Sequence, residues 1–321
     1  MKKRFYFASA NTSFGFINYF DNIVDKNGFT YIIKGSSGSG KSTLMKKIAL
    51  YFEQKNCNLE YFYCSSDPNS LDAIKLTDYN ICILDGTAPH STDTKMPNLY
   101  DKIINLGDLI DNGIIKYKSK IDKIVTQKQF NYKTIYSYLS SIGKLEEINN
   151  NLYLDDINLE FKTKILKYTP KSYKQGKLRR LFIDALDVFG INDFVPKNNF
   201  ETKILPINKY QFNNLIKLLQ NEIINIGTDL TVFHDIFNPN LIKGILINDK
   251  IYFTYDKNYK LSKIEQFNNG ILSKITKQTS KILLKTRKLH FKLEKYYYKF
   301  INFNKMDDIY NNIILDIEKR I

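Results

Sequence analysis

Nine consecutive residues, Gly35-Ser36-Ser37-Gly38-Ser39-Gly40-Lys41-Ser42-Thr43, combine three glycines, a lysine and a run of hydroxyls. Glycine lets backbone amides turn inward and come close to an anion, because no Cβ stands in the way. Gly35, Gly40, Lys41 and Ser42 match G-x-x-x-x-G-K-[ST], the P-loop spacing, in which such a turn cradles nucleotide phosphates. In that chemistry Lys41 contacts the outer phosphates and Ser42 ligates Mg²⁺ through its hydroxyl. Gly35, Ser36, Ser37, Gly38, Ser39, Gly40, Lys41, Ser42 and Thr43 are therefore the candidate phosphate-binding residues. A lysine at a helix start is unfavourable beside the positive helix end unless an anion joins it.

Elements must hold this turn. Phe29–Ile33 is short, β-branched and aromatic, and reads as a buried strand. Leu44, Met45, Ile48 and Phe52 recur at helical spacing after it. Strand, glycine turn and helix place amides and a positive helix end around one site. Asp85 closes the apolar run Ile81-Cys82-Ile83-Leu84. It fits two roles, an acid near phosphate-bound Mg²⁺ and a residue that opens a turn; the metal role is favoured. No glutamate follows it, so fast hydrolysis is not expected. Asp67, Asp72 and His90 follow the second and third expected strands, where a ligand crevice forms in open α/β sheets. Asp67 or His90 is placed to position water or an acceptor hydroxyl, and turn chemistry explains the same residues equally well. Arg4 and Arg179 are candidates for an arginine acting across a domain boundary, with a strand-anchoring ion pair the simpler reading.

Beyond the third strand the pattern predicts helices at 98–112, 114–128 and 130–142, a short piece near 144–150, and a linker at 167–177. The second half then resembles the first. Residues 29–85 align with 200–256 without a gap, putting Leu44 on Leu215, Phe62 on Phe233, Pro68 on Pro239 and Asp85 on Asp256. Arg4, Phe7 and Gly15 fall on Arg179, Phe182 and Gly190, and 130–155 falls on 291–316. The glycine turn is not repeated: Pro206, Lys209, Gln211, Phe212 and Asn213 stand where Gly35, Gly38, Gly40, Lys41 and Ser42 stand. The expected fold is α/β: two tandem P-loop NTPase-like domains with parallel sheets, each followed by a helical segment. Residues 1–170 hold the intact site and 171–321 a degenerate duplicate, with intramolecular pairing of the two.

The chain has 321 residues, 43% of them hydrophobic, enough for about two domains. No apolar run is long enough to cross a membrane. Cys57, Cys64 and Cys82 show no metal spacing and read as buried thiols of a cytoplasmic protein. The net charge of +15 is nearly all lysine, spread along the chain, so nucleic acid is not the favoured partner.

Together Gly35–Thr43, Cys64-Ser65-Ser66-Asp67-Pro68, Ser70-Leu71-Asp72, Asp85-Gly86-Thr87-Ala88-Pro89-His90 and Ile103-Ile104-Asn105-Leu106-Gly107 resemble a family of bacterial tandem P-loop ATPases. The resemblance implies binding of ATP rather than GTP, and its hydrolysis; members of that family look to carry a P-loop in both halves, and this chain departs by losing the second, so a single Mg²⁺-dependent site is expected, in the first half. The residues leave two alternatives open: a small-molecule or nucleotide kinase, and an ATP-switched module that binds nucleic acid or protein.

Overall fold

The computed structural model describes residues 1–25, 27–89, 91–153 and 159–321. The chain opens with strands β1 (Lys3–Tyr6), β2 (Ser9–Thr12), β3 (Gly15–Asn18) and β4 (Phe29–Lys34). Helix α1 (Lys41–Gln54) follows, then β5 (Leu59–Tyr63), β6 (Leu71–Leu76), β7 (Ile81–Asp85) and β8 (Asp101–Asn105). Helices α2 (Lys118–Asn151) and α3 (Glu160–Leu166) complete the first run. The second run is β9 (Leu178–Leu181), β10 (Asp184–Asp187), β11 (Gly190–Asp193), β12 (Glu201–Leu205) and α4 (Lys209–Asn225). It continues with β13 (Leu230–His234), β14 (Ile242–Ile247), β15 (Ile251–Tyr255), α5 (Lys263–Tyr298) and α6 (Phe303–Glu318).

The first sheet has the order β1-β5-β6-β7-β4-β8. The parallel sheet expected from the sequence is corrected to a mixed one: β6 runs antiparallel to both β5 and β7, and the other pairs are parallel. The cause is local. Residues 64–70 and 77–80 are the only connections on either side of β6, too short for a parallel crossover. The second sheet, β12-β15-β14-β13-β9, has the order and strand senses of β4-β7-β6-β5-β1. Strand β9 therefore joins the second sheet, beside β13. Among the described residues nothing in that sheet corresponds to β8, so β12 is an edge strand, and its Glu201 and Lys203 form a pair at 3.0 Å. Charge on an edge discourages pairing with another chain.

The helices expected at 98–112, 114–128 and 130–142 are also redrawn. Residues 101–105 form β8, parallel to β4, and two short 3-10 segments, Leu106–Leu109 and Asn112–Tyr117, follow. Tyr100, Ile103 and Ile104 carry helix-like spacing, but β4 offers an open edge, and tertiary pairing outweighs so weak a local preference. The pieces predicted within 118–150 fuse into one helix of 34 residues, α2. The expected linker at 167–177 is bonded to the α4 end: Ser172 and Gly176 amides donate to Ile226 and Ile224 carbonyls.

Two compact units arise from interleaved segments. One comprises Met1–Ala8, Ile23–Thr134 and Lys281–Ile321, and the other Ser9–Asn22 and Ile135–Ser280. The partition does not follow the halves 1–170 and 171–321, because the helical tails are exchanged. A sheet face must be covered by something apolar. In the first unit α1 and the chain-terminal α6 do this together: Met306, Ile313, Ile314 and Ile317 of α6 share a core with Leu44, Ile48 and Phe52 of α1. In the second unit α4 is joined by α3 from the first half, through Phe161 and Ile165. The hairpins β2–β3 and β10–β11 both lie in this second unit.

Candidate phosphate-binding site

Strand β4 delivers the chain to the glycine turn and α1 begins at Lys41. Gly38 and Gly40 adopt φ of +77° and +87°, where a side chain would be strained. At Gly35 a Cβ would lie 2.5 Å from Ser39 Oγ. The helix begins without a side-chain cap, so its first-turn amides have no acceptor on a capping side chain. Ser36 Oγ and Ser39 Oγ are buried without hydrogen-bond partners. A phosphate is the kind of group that such a turn accommodates.

Lys41 and Asp85 are brought together at the ends of the turn and of β7. Lys41 Nζ donates to the carbonyls of Gly35 at 2.6 Å and Ser36 at 2.9 Å and lies 3.5 Å from Asp85 Oδ2. The other Asp85 oxygen accepts from the Thr87 amide at 2.9 Å. One Asp85 oxygen thus closes a turn, as one of the two readings has it, and the other faces the lysine. Asp256 closes the corresponding turn, accepting from the Asn258 amide at 2.8 Å, while Phe212 of the second half is core.

Ser42 has a similarly divided role. Its Oγ accepts from the Leu71 amide at 3.0 Å, which fixes the start of β6. Asn213 Oδ1 accepts from the Ile242 amide at 3.0 Å at the start of β14. The framework bond is common to both halves; the hydroxyl of Ser42 retains its proton and a lone pair for a further partner. Thr87 was not singled out from the sequence. It accepts from the Gly35 amide at 3.1 Å and donates to the Gly35 carbonyl at 3.0 Å, tying the end of β7 to the glycine turn.

Asp67 stands in a turn. It accepts from Ser70 Oγ at 2.8 Å and the Asn69 amide at 3.3 Å, and pairs with Arg287 Nη2 at 3.0 Å. Asp72 is buried in β6. His90 lies outside the described residues. Arg4 is in β1, at the far end of the sheet from β4. Arg179 Nε donates to the Asn22 carbonyl within the second unit. Arg287 of α5 pairs with Asp67, and His290 and Glu294, one and two turns on, reach the glycine turn. His290 Nδ1 lies 3.5 Å from Ser37 Oγ and 3.1 Å from Lys128 Nζ of α2. A Cβ on Gly38 would lie 2.8 Å from Glu294 Cα, so that glycine is what lets α5 lie against the turn. Neighbourhood in sequence gave no sign of this, since α5 comes from the far end of the chain.

The second half closes the same position with its own atoms. Asn208 caps α4, accepting from the Tyr210 and Gln211 amides, and Gln211 reciprocates on the Asn208 amide. Glu146 accepts from Tyr210 Oη at 3.0 Å and pairs with Lys209 at the helix start. Burial opposes the charge of Lys209, but Glu146 and Asp235 outweigh it and hold its pKa well above the usual lysine value.

Among the described residues no group of three or more His, Cys, Asp or Glu is arranged to hold a metal. Mg²⁺ bound with phosphates takes few protein ligands, and Ser42 and Asp85 suit that demand. A sheet with a glycine turn, a helix-start lysine and a strand-end acid defines a P-loop class of site. Residues 18–170, under half of the chain, match the family Novel STAND NTPase 3. Comparison with curated proteins and with solved structures gives no match. Over the matched residues the chain is similar to NTPases, in keeping with a nucleotide-binding site at this turn.

Proposed function

We propose that the first unit binds Mg²⁺-ATP at Gly35–Thr43 and hydrolyses it slowly, and that the second half keeps the same sheet without a nucleotide site. The observation that carries this reading is the contrast between the two helix starts. Helix α1 begins at a glycine turn with no side-chain cap and with Lys41 beside Asp85; α4 begins with a full capping box and a carboxylate from Glu146. One start is built for an external anion and the other carries its own.

In this reading Lys41 exchanges its loop carbonyls for the outer phosphates, while the amides of 38–43 orient the chain of phosphates. Ser42 and Asp85 would hold Mg²⁺, which would supply neutralisation of phosphate charge. The two halves are a duplicated pair in a cytoplasmic protein, with nucleotide-dependent change in the first unit as the output. No helix among the described residues is long and apolar enough to cross a membrane.

The test is titration of wild type, Lys41→Ala and Asp85→Asn with ATP and ADP, with and without Mg²⁺, followed by product analysis. Lys41→Ala is expected to weaken ATP by tenfold or more, since a charged hydrogen bond contributes about 1.5–3 kcal/mol. Asp85→Asn is expected to remove the Mg²⁺ dependence and the turnover. Equal ATP affinity in wild type and Lys41→Ala would overturn the reading.

A further inference from the structure

Arg287 lies at the turn Asp67–Ser70, with Lys128 and His290 beside the glycine turn, all within the first unit. These three side chains come from α2 and α5, outside the strand–turn–helix that forms the motif. The side chain of Arg287 is only 14% exposed, its guanidinium packs on the Phe291 ring at 4.9 Å, and its Nε is buried without a partner. Its ion partner among the described residues is Asp67, a residue that already accepts from Ser70 and Asn69. Burial pulls the Lys128 pKa down, with the charge of Lys41 acting in the same direction against Glu294 and Cys64. A buried guanidinium with an unpaired Nε and an ammonium disfavoured by burial are both better satisfied by an added anion.

We propose that Arg287, supported by Lys128 and His290, is the group by which the chain distinguishes a nucleoside triphosphate from a diphosphate, and that Asp67 is the competing latch that holds Arg287 until a terminal phosphate takes it. The proposal rests on the nucleotide reading of Gly35–Thr43 and adds a residue that no motif in the first half contains. Arginine suits the task because its planar fork meets two phosphate oxygens at once and stays charged at any working pH. Helix α5 carries it. A phosphate that draws Arg287 away from Asp67 also changes what holds the turn Asp67–Ser70, so phosphate occupancy is coupled to the packing of α5 on the first unit.

The experiment is calorimetric titration of the full chain with Mg²⁺ and either ADP or a non-hydrolysable ATP analogue, for wild type, Arg287→Gln, Arg287→Lys and Asp67→Asn. Arg287→Gln gives up the guanidinium packing on Phe291, so circular dichroism first establishes that each variant is folded. Arg287→Gln is expected to weaken the triphosphate analogue by about tenfold or more and to leave ADP within about twofold. Arg287→Lys is expected to recover part of the difference, and Asp67→Asn to tighten the triphosphate analogue selectively. A purely structural role would shift both nucleotides together. If wild type binds both nucleotides and Arg287→Gln keeps the wild-type ratio of affinities, this proposal is overturned while the nucleotide reading stands. If wild type binds neither, both fall.

Discussion

Two side chains at the site make framework bonds that the second half of the chain repeats. Asp85 and Asp256 both close a turn, but Asp85 alone has a second oxygen facing a lysine. Ser42 and Asn213 both accept from the first amide of the following strand. Substituting Ser42→Asn is therefore expected to keep folding stability within about 1 kcal/mol while removing the Mg²⁺ enhancement of ATP binding, whereas Ser42→Ala leaves the Leu71 amide unpaired at a cost of about 1–3 kcal/mol. Denaturant melts and titrations with and without Mg²⁺ separate the two, and an Asn variant as unstable as the Ala variant would refute the shared-framework argument. Thr87 is the residue the motif does not name. Thr87→Val removes both bonds to Gly35, and the expected outcome is weaker binding of ATP and ADP alike, measured by the same titration.

Helices α1 and α4 fold against equivalent sheets yet begin differently, and their starts respond to different changes. Asn208→Ala removes the α4 cap and is expected to cost about 1 kcal/mol, read from the denaturation midpoint at constant slope. Strands β9 and β13 offer a pH test. His234 Nδ1 donates to the Pro239 carbonyl at 2.7 Å and Nε2 accepts from Arg180 Nη1 at 3.1 Å, which fixes the neutral ring. Burial, with the charge of Arg180 adding to it, lowers its pKa to about 4. Because the folded value lies below the unfolded one, this contribution is full above pH about 6.5 and is lost as pH falls toward 4. The loss is on the order of 3 kcal/mol across that window. His234→Gln is expected to flatten the difference in stability between pH 7.5 and pH 5 relative to wild type, and an unchanged slope would exclude His234 as its source.

At the scale of the molecule, the exchange of helical tails sets what can fold alone. The first sheet packs on α6 from the chain end, and the second on α3 from the first half. A fragment of residues 1–170 lacks α6 and leaves the apolar face around Leu44, Ile48 and Phe52 partly uncovered. It is expected to bind hydrophobic dye and aggregate, and a peptide of residues 281–321 added in trans is expected to restore a cooperative transition. Within the full chain, Ile317→Ala deletes a fully buried side chain of α6 and is expected to cost about 2–5 kcal/mol. A fragment 1–170 that melts cooperatively by itself would show that the exchanged helix is dispensable.

Local chemistry was readable from the chain. The glycine turn, the strand before it, the helix after it and the acid at the end of β7 are short-range patterns, set by residue type and spacing within a few positions. The parallel with the second half was readable for the same reason, and so was the absence of the lysine there. Three things were not. The sense of β6 and the existence of β8 depend on which sheet edges are open, and an isolated run such as Asp101–Asn105 does not carry that information. The partition of the chain depends on which apolar helix face covers which sheet, and equally amphipathic tails leave that choice to packing in three dimensions. The placing of Arg287, His290 and Lys128 around the turn follows from that choice. The sequence by itself determined the glycine turn between β4 and α1, because its geometry is written in closely spaced glycines; only the tertiary structure decided which distant side chains lie by it, because contacts between residues as far apart as Ser37 and His290 are made by packing and not by spacing.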